Sequence, residues 1–294
     1  MSTTPVFGRL VTAMVTPFAA DGSLDLDESR RLAAYLVDEM KNDALVINGT
    51  TGESPTTNDA EKLALLKAVK AEVGDRAKII AGVGTNETAA TIARCHDAVA
   101  ADADGVLVVT PYYNKPPVDA LYEHFLMVAD ATELPVMLYD IPGRSAIPIP
   151  EDVLIALAAH PRIVAVKDAK GDITSSGKVM AATELAYYSG DDALTLPLMA
   201  VGGVGVVGTS THFTGARTKA MIEAYAAGDP ATALALHREL LPVFLGVFAT
   251  QGVMMVKAGL AARGQHPGGV RRPLKPATAE QTATFVALLD QIGL

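Results

Sequence analysis

The sequence predicts an α/β protein, a (β/α)8 TIM barrel with a C-terminal helical extension. Short β-branched runs alternate about eight times with longer amphipathic stretches, and each run is apolar enough to be covered on both faces. After Gly228 the strand-like runs stop and only helical patterns follow. The 294 residues exceed the roughly 250 that a single barrel needs. We therefore predict a catalytic barrel over residues 1–228 and a helical region over residues 229–294.

The predicted strands are short runs rich in Val, Ile, Leu and aromatic residues. In chain order they are LVTAMV from Leu10, ALVIN from Ala44, KIIAGV from Lys78, GVLVV from Gly105, PVMLY from Pro135, IVAVK from Ile163, LAYYS from Leu185 and VGVVG from Val204. The helical stretches between them include those that begin at Asp25 and Asn58. An open doubly wound sheet is the alternative. It fits less well, because polar and Gly-rich segments follow many strands here and not one switch point.

Composition excludes several classes of function. The net charge is −9 and no basic run is present, so nucleic-acid binding is not expected. Cys95 is the single cysteine, which rules out an intramolecular disulfide and fits a reducing compartment. No apolar stretch reaches the ~20 residues of a membrane span, and no signal-peptide pattern is found. We expect a cytoplasmic protein with neither a nucleic-acid nor a membrane partner.

Lys167 is the first candidate catalytic residue, because it ends the strand-like run IVAVK. Strand alternation puts Lys167 and Ala165 on one face, with Val164 and Val166 on the other. In a barrel the inner face is packed, so the amine would enter the top of the lumen. Burial there lowers the pKa of a lysine and yields the neutral amine that attack on a ketone requires. The alternative is a structural ion pair, for instance with Asp168.

Tyr139 ends the preceding predicted strand and is followed by DIPGR. Its hydroxyl would point towards the mouth of the barrel, and a phenol near an amine can move protons while a carbinolamine forms. An ordinary half-buried tyrosine is the alternative.

Two loops carry further candidates. The segment GTTGES (Gly49–Ser54) follows the second predicted strand, and its hydroxyls and backbone N–H groups before a helix fit a carboxylate nest. By itself such a segment is usually a turn. The segment PYYNKP (Pro111–Pro116) follows the fourth predicted strand and carries two adjacent tyrosines. A role at a protein interface is the main alternative for them.

Two other motifs are discounted. Gly203, Gly205 and Gly208 match GxGxxG, but they lie within a strand-like run and no acid is placed for a ribose, so a dinucleotide is not expected. The six histidines show neither HxH nor HExxH spacing, so no metal site is predicted.

Taken together, these segments resemble the dihydrodipicolinate synthase / N-acetylneuraminate lyase family nearly end to end. The motifs are specific in combination: GTTGES, PYYNKP, YDIPGR from Tyr139, VKDAKG from Val166 and SGDD from Ser189. The resemblance implies a lyase that joins pyruvate to an aldehyde through a lysine Schiff base. Within the family, it implies the condensation of pyruvate with L-aspartate 4-semialdehyde to 4-hydroxy-tetrahydrodipicolinate, in lysine and diaminopimelate biosynthesis.

The resemblance also implies roles for individual residues. Lys167 would form the Schiff base and Tyr139 would give and take protons. Thr50 and Tyr113 would complete a hydroxyl relay to solvent, with Tyr113 reaching into the site of a neighbouring subunit. The implied substrate-binding residues are Thr51 for the pyruvate carboxylate, Arg144 for the semialdehyde carboxylate, Val207 through its backbone carbonyl, and Gly190 in SGDD.

No metal or organic cofactor is implied, because the protonated imine is itself the electron sink. A homotetramer, built as a dimer of tight dimers, is the implied assembly. Another pyruvate-dependent aldolase of the family, acting on a sugar acid, is the nearest alternative, although Thr50, Thr51 and Arg144 favour the synthase reaction. A non-catalytic protein that binds small carboxylates is the alternative of another class, but binding alone needs no buried amine.

The chain departs from the family pattern at two places beside the expected machinery. Gly208 stands where the family commonly has serine, which we expect to loosen the loop beside the pyruvate pocket. The segment MKN (Met40–Asn42) replaces a turn that usually contains glycine. We expect these changes to alter stability or rate and to leave the chemistry intact.

A third departure concerns feedback inhibition. Feedback-sensitive members of the family use histidines and a glutamate in an allosteric cleft, and this chain has Asp59, Lys62 and Ala90 at the matching positions. Asn86 and Tyr112 are retained. The resemblance therefore implies weak or absent inhibition by lysine.

Overall fold

The structure, a computed structural model, describes residues 5–294 and contains a closed barrel of eight parallel strands. The strands are β1 (Leu10–Ala13), β2 (Ala44–Ile47), β3 (Lys78–Gly82), β4 (Gly105–Val109), β5 (Val136–Asp140), β6 (Ile163–Asp168), β7 (Ala186–Ser189) and β8 (Gly205–Gly208). Neighbours in sequence are neighbours in the sheet, and β1 pairs with β8 to close it. The predicted barrel is confirmed, and each predicted run contains one strand.

Helices follow every strand and then continue alone. They are α1 (Leu26–Asp38), α2 (Asp59–Val73), α3 (Thr88–Ala100), α4 (Val118–Asp130), α5 (Pro142–Ser145), α6 (Glu151–Leu157), α7 (Ile173–Ala182), α8 (Thr195–Ala200), α9 (Thr211–Ala226), α10 (Pro230–Gly246), α11 (Gly252–Ala262) and α12 (Ala279–Gln291). Helix α2 begins with the capping box formed by Asn58 and Glu61. Such a box is a recognisable sequence pattern, which explains why the start of this helix could be predicted. Helices α10–α12 form the C-terminal extension.

The barrel separates two apolar layers. Inward-facing residues such as Ala165, Tyr139 and Val207 form one buried cluster inside the barrel. Val166 belongs to the larger cluster between strands and helices, as strand alternation predicts. Val164 does not follow that prediction: the register of β5 and β6 shifts near Val136, and Val164 packs against the inner cluster.

The turn before β2 keeps its shape without glycine. Lys41 adopts φ 63°, a left-handed conformation that glycine takes more readily, in the segment where the sequence departs from the family pattern. Asn42 next to it is buried, accepts from Thr12 Oγ1 at 2.6 Å and donates to the carbonyl of Leu36 at 2.8 Å. These side-chain hydrogen bonds hold the turn between α1 and β2.

The C-terminal extension packs into the same apolar cluster that covers the strands. Phe285 of α12 meets Phe213 of α9 edge to face, with ring centroids 5.4 Å apart. Leu260 and Leu289 are also buried in this cluster. The predicted boundary at Gly228 lies between α9 and α10, but the apolar packing continues across it.

Over residues 5–294, no helix is both long enough and apolar enough to cross a membrane.

Candidate active site

The candidate catalytic residues lie one position before the ends of two neighbouring strands, at the same rim of the barrel. Tyr139 of β5 is paired in register with Lys167 of β6. The preceding inward residues, Met137 and Ala165, fill the barrel below them. In parallel barrels the catalytic groups come from the carboxyl ends of the strands, and these two side chains lie there.

The amine of Lys167 is buried and close to the Tyr139 ring. The lysine is 5% exposed, and its Nζ lies 4.3 Å from the centroid of that ring. Burial lowers the pKa of Lys167 to about 8, a shift that the negative charge of Asp192 opposes and the positive charge of Arg144 reinforces. Near neutral pH a useful fraction of the amine is therefore uncharged and nucleophilic.

The ion pair with Asp168 that was the example of a structural role for Lys167 is not found. No ion pair joins Lys167 to Asp168. Asp168 instead accepts from the hydroxyl of Ser176 and from the backbone N–H of Lys170. Alternation explains this, since consecutive residues of a strand point to opposite faces.

Tyr139 remains a proton donor over the physiological range. Burial raises the pKa of its phenol to about 12, while Arg144 and a hydrogen bond with Thr50 act in the opposite direction. A neutral phenol can donate to a developing hydroxyl and accept through its oxygen from Thr50.

A cavity of about 220 Å³ opens beside these groups. Of the predicted site residues, Thr50, Tyr139 and Arg144 line it. Its full lining is Asn48, Gly49, Thr50, Ser54, Pro55, Gly82, Gly84, Leu107, Val109, Tyr112, Tyr139, Ile141, Arg144 and Ser145. Lys167 is not among the lining residues, but its amine borders the cavity through the Tyr139 ring.

The threonine loop, residues 48–54, is tightly held. Thr16 Oγ1 donates to the carbonyl of Gly52 at 2.6 Å, and Thr51 Oγ1 lies 3.5 Å from Thr209 Oγ1. Within the loop the N–H of Gly52 donates to the carbonyl of Gly49 at 3.1 Å. The segment is thus a compact turn, and it presents Thr50 to the cavity and buries Thr51.

Gly190 and Val207 lie where the resemblance placed them, around the lysine. A Cβ on Gly190 would be 3.2 Å from Cε of Lys167 and 2.9 Å from Cβ of Ala169, so only glycine fits there without displacement. Val207 of β8 is buried inside the barrel. Gly190 shapes the wall beside Lys167, and Val207 belongs to the apolar interior of the barrel.

The turn after β8 is held by a buried carboxylate that sequence reasoning missed. Asp192 accepts from the backbone N–H groups of Thr209 and Ser210 and from the Ser210 hydroxyl. A Cβ on Gly208 would come within 2.8 Å of Asp192 Oδ1 and 2.6 Å of Thr211 Cγ2. Gly208 is therefore closely surrounded by other atoms. The sequence predicted a looser loop at this position, whereas the structure shows a tightly packed one.

Arg144 and Tyr113 lie further out. Arg144 is exposed on α5 and lines the mouth of the cavity. Tyr113 is 88% exposed with φ 75° and does not line the cavity. Its neighbour Tyr112 does, and its hydroxyl lies 3.4 Å from Thr85 Oγ1. The two adjacent tyrosines marked this loop as a candidate part of the site. The structure shows that Tyr112 faces the cavity and that Tyr113 faces outward.

Residues 5–294 contain no group of three or more His, Cys, Asp or Glu side chains that could hold a metal ion. His212 is buried, its Nε2 accepts from the N–H of Val15, and burial lowers its pKa to about 4. It therefore holds the chain near β1 as a neutral ring.

Comparisons with known proteins agree on one family. Residues 6–292 match the model described as the dihydrodipicolinate synthetase family. The chain is 59% identical to 4-hydroxy-tetrahydrodipicolinate synthase of Cutibacterium acnes over 99% of both chains. It is 62% identical to the enzyme of the same name from Acidothermus cellulolyticus, over 94% of this chain and 90% of the relative.

Solved structures give the same result. A dihydrodipicolinate synthase from Bacillus anthracis superposes with a TM-score of 0.94 at 42% identity, over 97% of this chain and 98% of that one. The enzyme from Cyanidioschyzon merolae, solved with lysine bound, gives a TM-score of 0.96 at 39% identity over 99% of both chains.

Proposed function

This chain belongs to the dihydrodipicolinate synthetase family, and from that premise we propose how it works as a 4-hydroxy-tetrahydrodipicolinate synthase. It is a lyase that condenses pyruvate with L-aspartate 4-semialdehyde in lysine biosynthesis. The observation that carries the mechanism is the buried amine of Lys167, 4.3 Å from the Tyr139 ring at the carboxyl rim of the barrel.

The first step is imine formation on Lys167. Its neutral Nζ attacks the ketone carbon of pyruvate, and Tyr139 protonates the oxygen, which then leaves as water. The low pKa of Lys167 supports this role, because an ammonium ion has no lone pair with which to attack. Thr50, hydrogen-bonded to Tyr139, returns the proton to the phenol.

The later steps use the imine as an electron sink. A methyl proton leaves, the C–H electrons form an enamine, and the enamine carbon attacks the aldehyde carbon of the semialdehyde. The substrate amine then adds to the imine carbon and displaces Lys167, which closes the ring. We propose that no metal or organic cofactor takes part, since the positive imine nitrogen accepts the electron pair.

Binding of the two carboxylates is assigned to different parts of the site. We place the pyruvate carboxylate at the threonine loop, where Thr51 and backbone N–H groups offer donors. Val207 and Gly190 border pyruvate beside Lys167. Arg144, exposed at the cavity mouth, binds the semialdehyde carboxylate, because a guanidinium forms two parallel hydrogen bonds with such a group.

We further propose that the chain assembles as a homotetramer, a dimer of tight dimers. Tyr113 supports this, because its ring is 88% exposed on a backbone held at φ 75° and is therefore available to contact a neighbouring subunit. In the assembly it would reach the neighbouring site and complete the relay of Tyr139 and Thr50. Sedimentation of the purified chain tests the assembly, and a monomer of full activity would contradict it.

Comparison of substrates tests the reaction. Turnover is measured with pyruvate plus L-aspartate 4-semialdehyde, and separately with sialic acid and with keto-deoxy sugar acids. We expect activity with the first pair only, whereas cleavage of a sugar acid would favour the aldolase alternative. Reduction with borohydride in the presence of pyruvate should add one reduced pyruvate to the wild type and none to Lys167→Ala. No adduct on the wild type would favour a carboxylate-binding protein.

A further inference from the structure

The C-terminal extension reaches the threonine loop through a buried ion pair. Glu53 directly follows the Thr50–Gly52 segment of the loop, and Lys257 lies on α11, more than 200 positions later in the chain. Lys257 Nζ and Glu53 Oε1 are 2.8 Å apart, and the side chains are 3% and 1% exposed. No role in the proposed chemistry accounts for this pair.

Arg271, in the loop between α11 and α12, completes the contact. Its backbone N–H donates to Glu53 Oε2 at 2.8 Å. Its guanidinium makes two hydrogen bonds to Glu61 of α2, at 2.6 Å and 2.9 Å. Lys257 Nζ donates to the carbonyl of Gly269 at 2.5 Å. The extension therefore reaches both oxygens of Glu53, one through the ion pair and the other through a backbone hydrogen bond.

An aromatic ring from the segment between β1 and α1 contacts both cations. Lys257 Nζ is 4.3 Å from the Phe18 ring centroid, and the Arg271 guanidinium carbon is 4.1 Å from it. The extension also approaches this segment at Gly268, where a Cβ would come within 1.7 Å of the Phe18 carbonyl oxygen. Such close contact fixes the extension relative to the loops at the carboxyl rim.

Stability alone does not explain a buried ion pair here. Removal of two charges from water is costly, and apolar residues of similar size often give equal or better stability. Glu53 also holds φ 56°, a left-handed conformation that is strained for a residue with a side chain. A strained, charged residue beside a binding loop is typical of a structure that maintains functional geometry.

We propose that Glu53, Lys257 and Arg271 are positioning residues that fix the threonine loop for pyruvate, so that the C-terminal extension is part of the substrate site. The proposal rests on the function assigned above. The barrel holds the loop at Gly52 and Thr51 through neutral hydroxyl contacts. The extension holds the same loop at Glu53 through charge, which sets the direction in which Thr50 and Thr51 present their donors.

The test separates positioning from stability. The double variant Glu53→Gln/Lys257→Met removes both charges and leaves neither partner as an unpaired buried ion. We expect it to keep a melting temperature near that of the wild type and to raise the KM for pyruvate at least tenfold. Because the proposal concerns the pyruvate loop, the KM for the semialdehyde should change much less.

Glu53→Gln alone provides the second variant. It has the same shape and keeps an acceptor for the Arg271 N–H, and the Lys257 amine keeps its hydrogen bond to the Gly269 carbonyl. It changes only one side chain, and we expect it to show the same rise in the KM for pyruvate; its melting temperature is measured alongside, because Lys257 loses its counterion. Lys219→Met is the matched control, since it removes a half-buried ion pair with Asp43, 2.6 Å long, far from the loop in sequence. It should leave both KM values unchanged.

Pyruvate trapping distinguishes failure of the proposed function from failure of the positioning role. The concentration of pyruvate that gives half-maximal reductive labelling is measured by mass for the wild type and each variant. A wild type that is not labelled overturns the function itself. A labelled wild type together with folded variants of unchanged half-saturation and unchanged KM overturns the positioning role and leaves the function standing.

Discussion

Lys167 and Tyr139 sit side by side on neighbouring strands, with the amine 4.3 Å from the centre of the phenol ring. Burial moves the two pKa values in useful directions, lowering that of the amine and raising that of the phenol. The nucleophile is thus available as a free base while its neighbour stays protonated. Both groups are protonated in water at neutral pH. Burial in the barrel makes the Lys167 amine a usable base and keeps the Tyr139 phenol an acid.

The pH dependence follows from the lowered pKa of Lys167. With a pKa of about 8, roughly a tenth of the amine is neutral at pH 7, and most of it is neutral one unit above the pKa. Because only the neutral form attacks pyruvate, kcat/KM for pyruvate should rise about tenfold from about pH 7 to about pH 9. A profile that is flat over this range, or that falls, would contradict the assignment.

Loss of the phenol hydroxyl should slow every proton transfer. Tyr139→Phe is expected to lower kcat by about 10²–10⁴ with little change in fold. Tyr187→Phe is the matched control, because the Tyr187 hydroxyl is buried on β7, two strands away, and has no hydrogen-bond partner. It should leave kcat unchanged. Steady-state kinetics of both variants, with circular dichroism to verify folding, makes the comparison.

The sequence carried enough information for the barrel and for the two central residues. Alternation along β6 placed Lys167 inside, and the equivalent position on β5 placed Tyr139 beside it, because both follow from the local period of a strand. The contacts of Asp192 with the turn after β8 and of Lys257 with Glu53 depend on chain folding over long separations. No local pattern encodes those contacts, so the sequence did not predict them.

Space beside the lysine limits substitution at Gly190. In Gly190→Ala the new methyl group would lie 3.2 Å from Lys167 Cε, and displacement of the amine should lower kcat/KM by about 10²-fold. Gly177→Ala in α7 is the control, since its nearest neighbour would be 3.9 Å away and alanine favours a helix. The control should retain activity and gain about 0.5–1 kcal/mol of stability. Equal activity in both variants would refute the packing argument.

Truncation tests whether the predicted barrel region folds alone. A chain that ends at Gly228 would lack Phe285, the edge-to-face partner of Phe213, together with Leu260 and Leu289 of the same buried cluster. Full burial of one such side chain contributes about 1.5–3 kcal/mol, so the three together are a large part of the stability of a domain. We expect residues 1–228 to be insoluble or molten and inactive. A cooperative thermal transition for this fragment would show that the extension is dispensable for folding.

The resemblance places Asp59, Lys62 and Ala90 at the positions of an allosteric lysine site, and cations already lie among these residues. Inhibition by lysine should therefore be weak. Lys62 is 5% exposed and donates to the carbonyl of Thr57. Burial, then the charge of Arg94, lowers its pKa to about 8, so at pH 7 it is still mostly charged. Arg94 is paired with Asp59 at 2.8 Å, which neutralises the nearest acid.

An incoming lysine would therefore meet repulsion at its side chain and no free carboxylate among Asp59, Lys62 and Ala90. We expect the initial rate to fall by less than about twofold in 1 mM lysine, which corresponds to a Kd weaker than about 1 mM. Lys62→Met keeps most of the side-chain volume and removes the charge, so inhibition should become stronger in this variant. Because the repulsion acts on the ammonium, wild-type inhibition in the micromolar range, or a variant less sensitive than the wild type, would refute this electrostatic explanation.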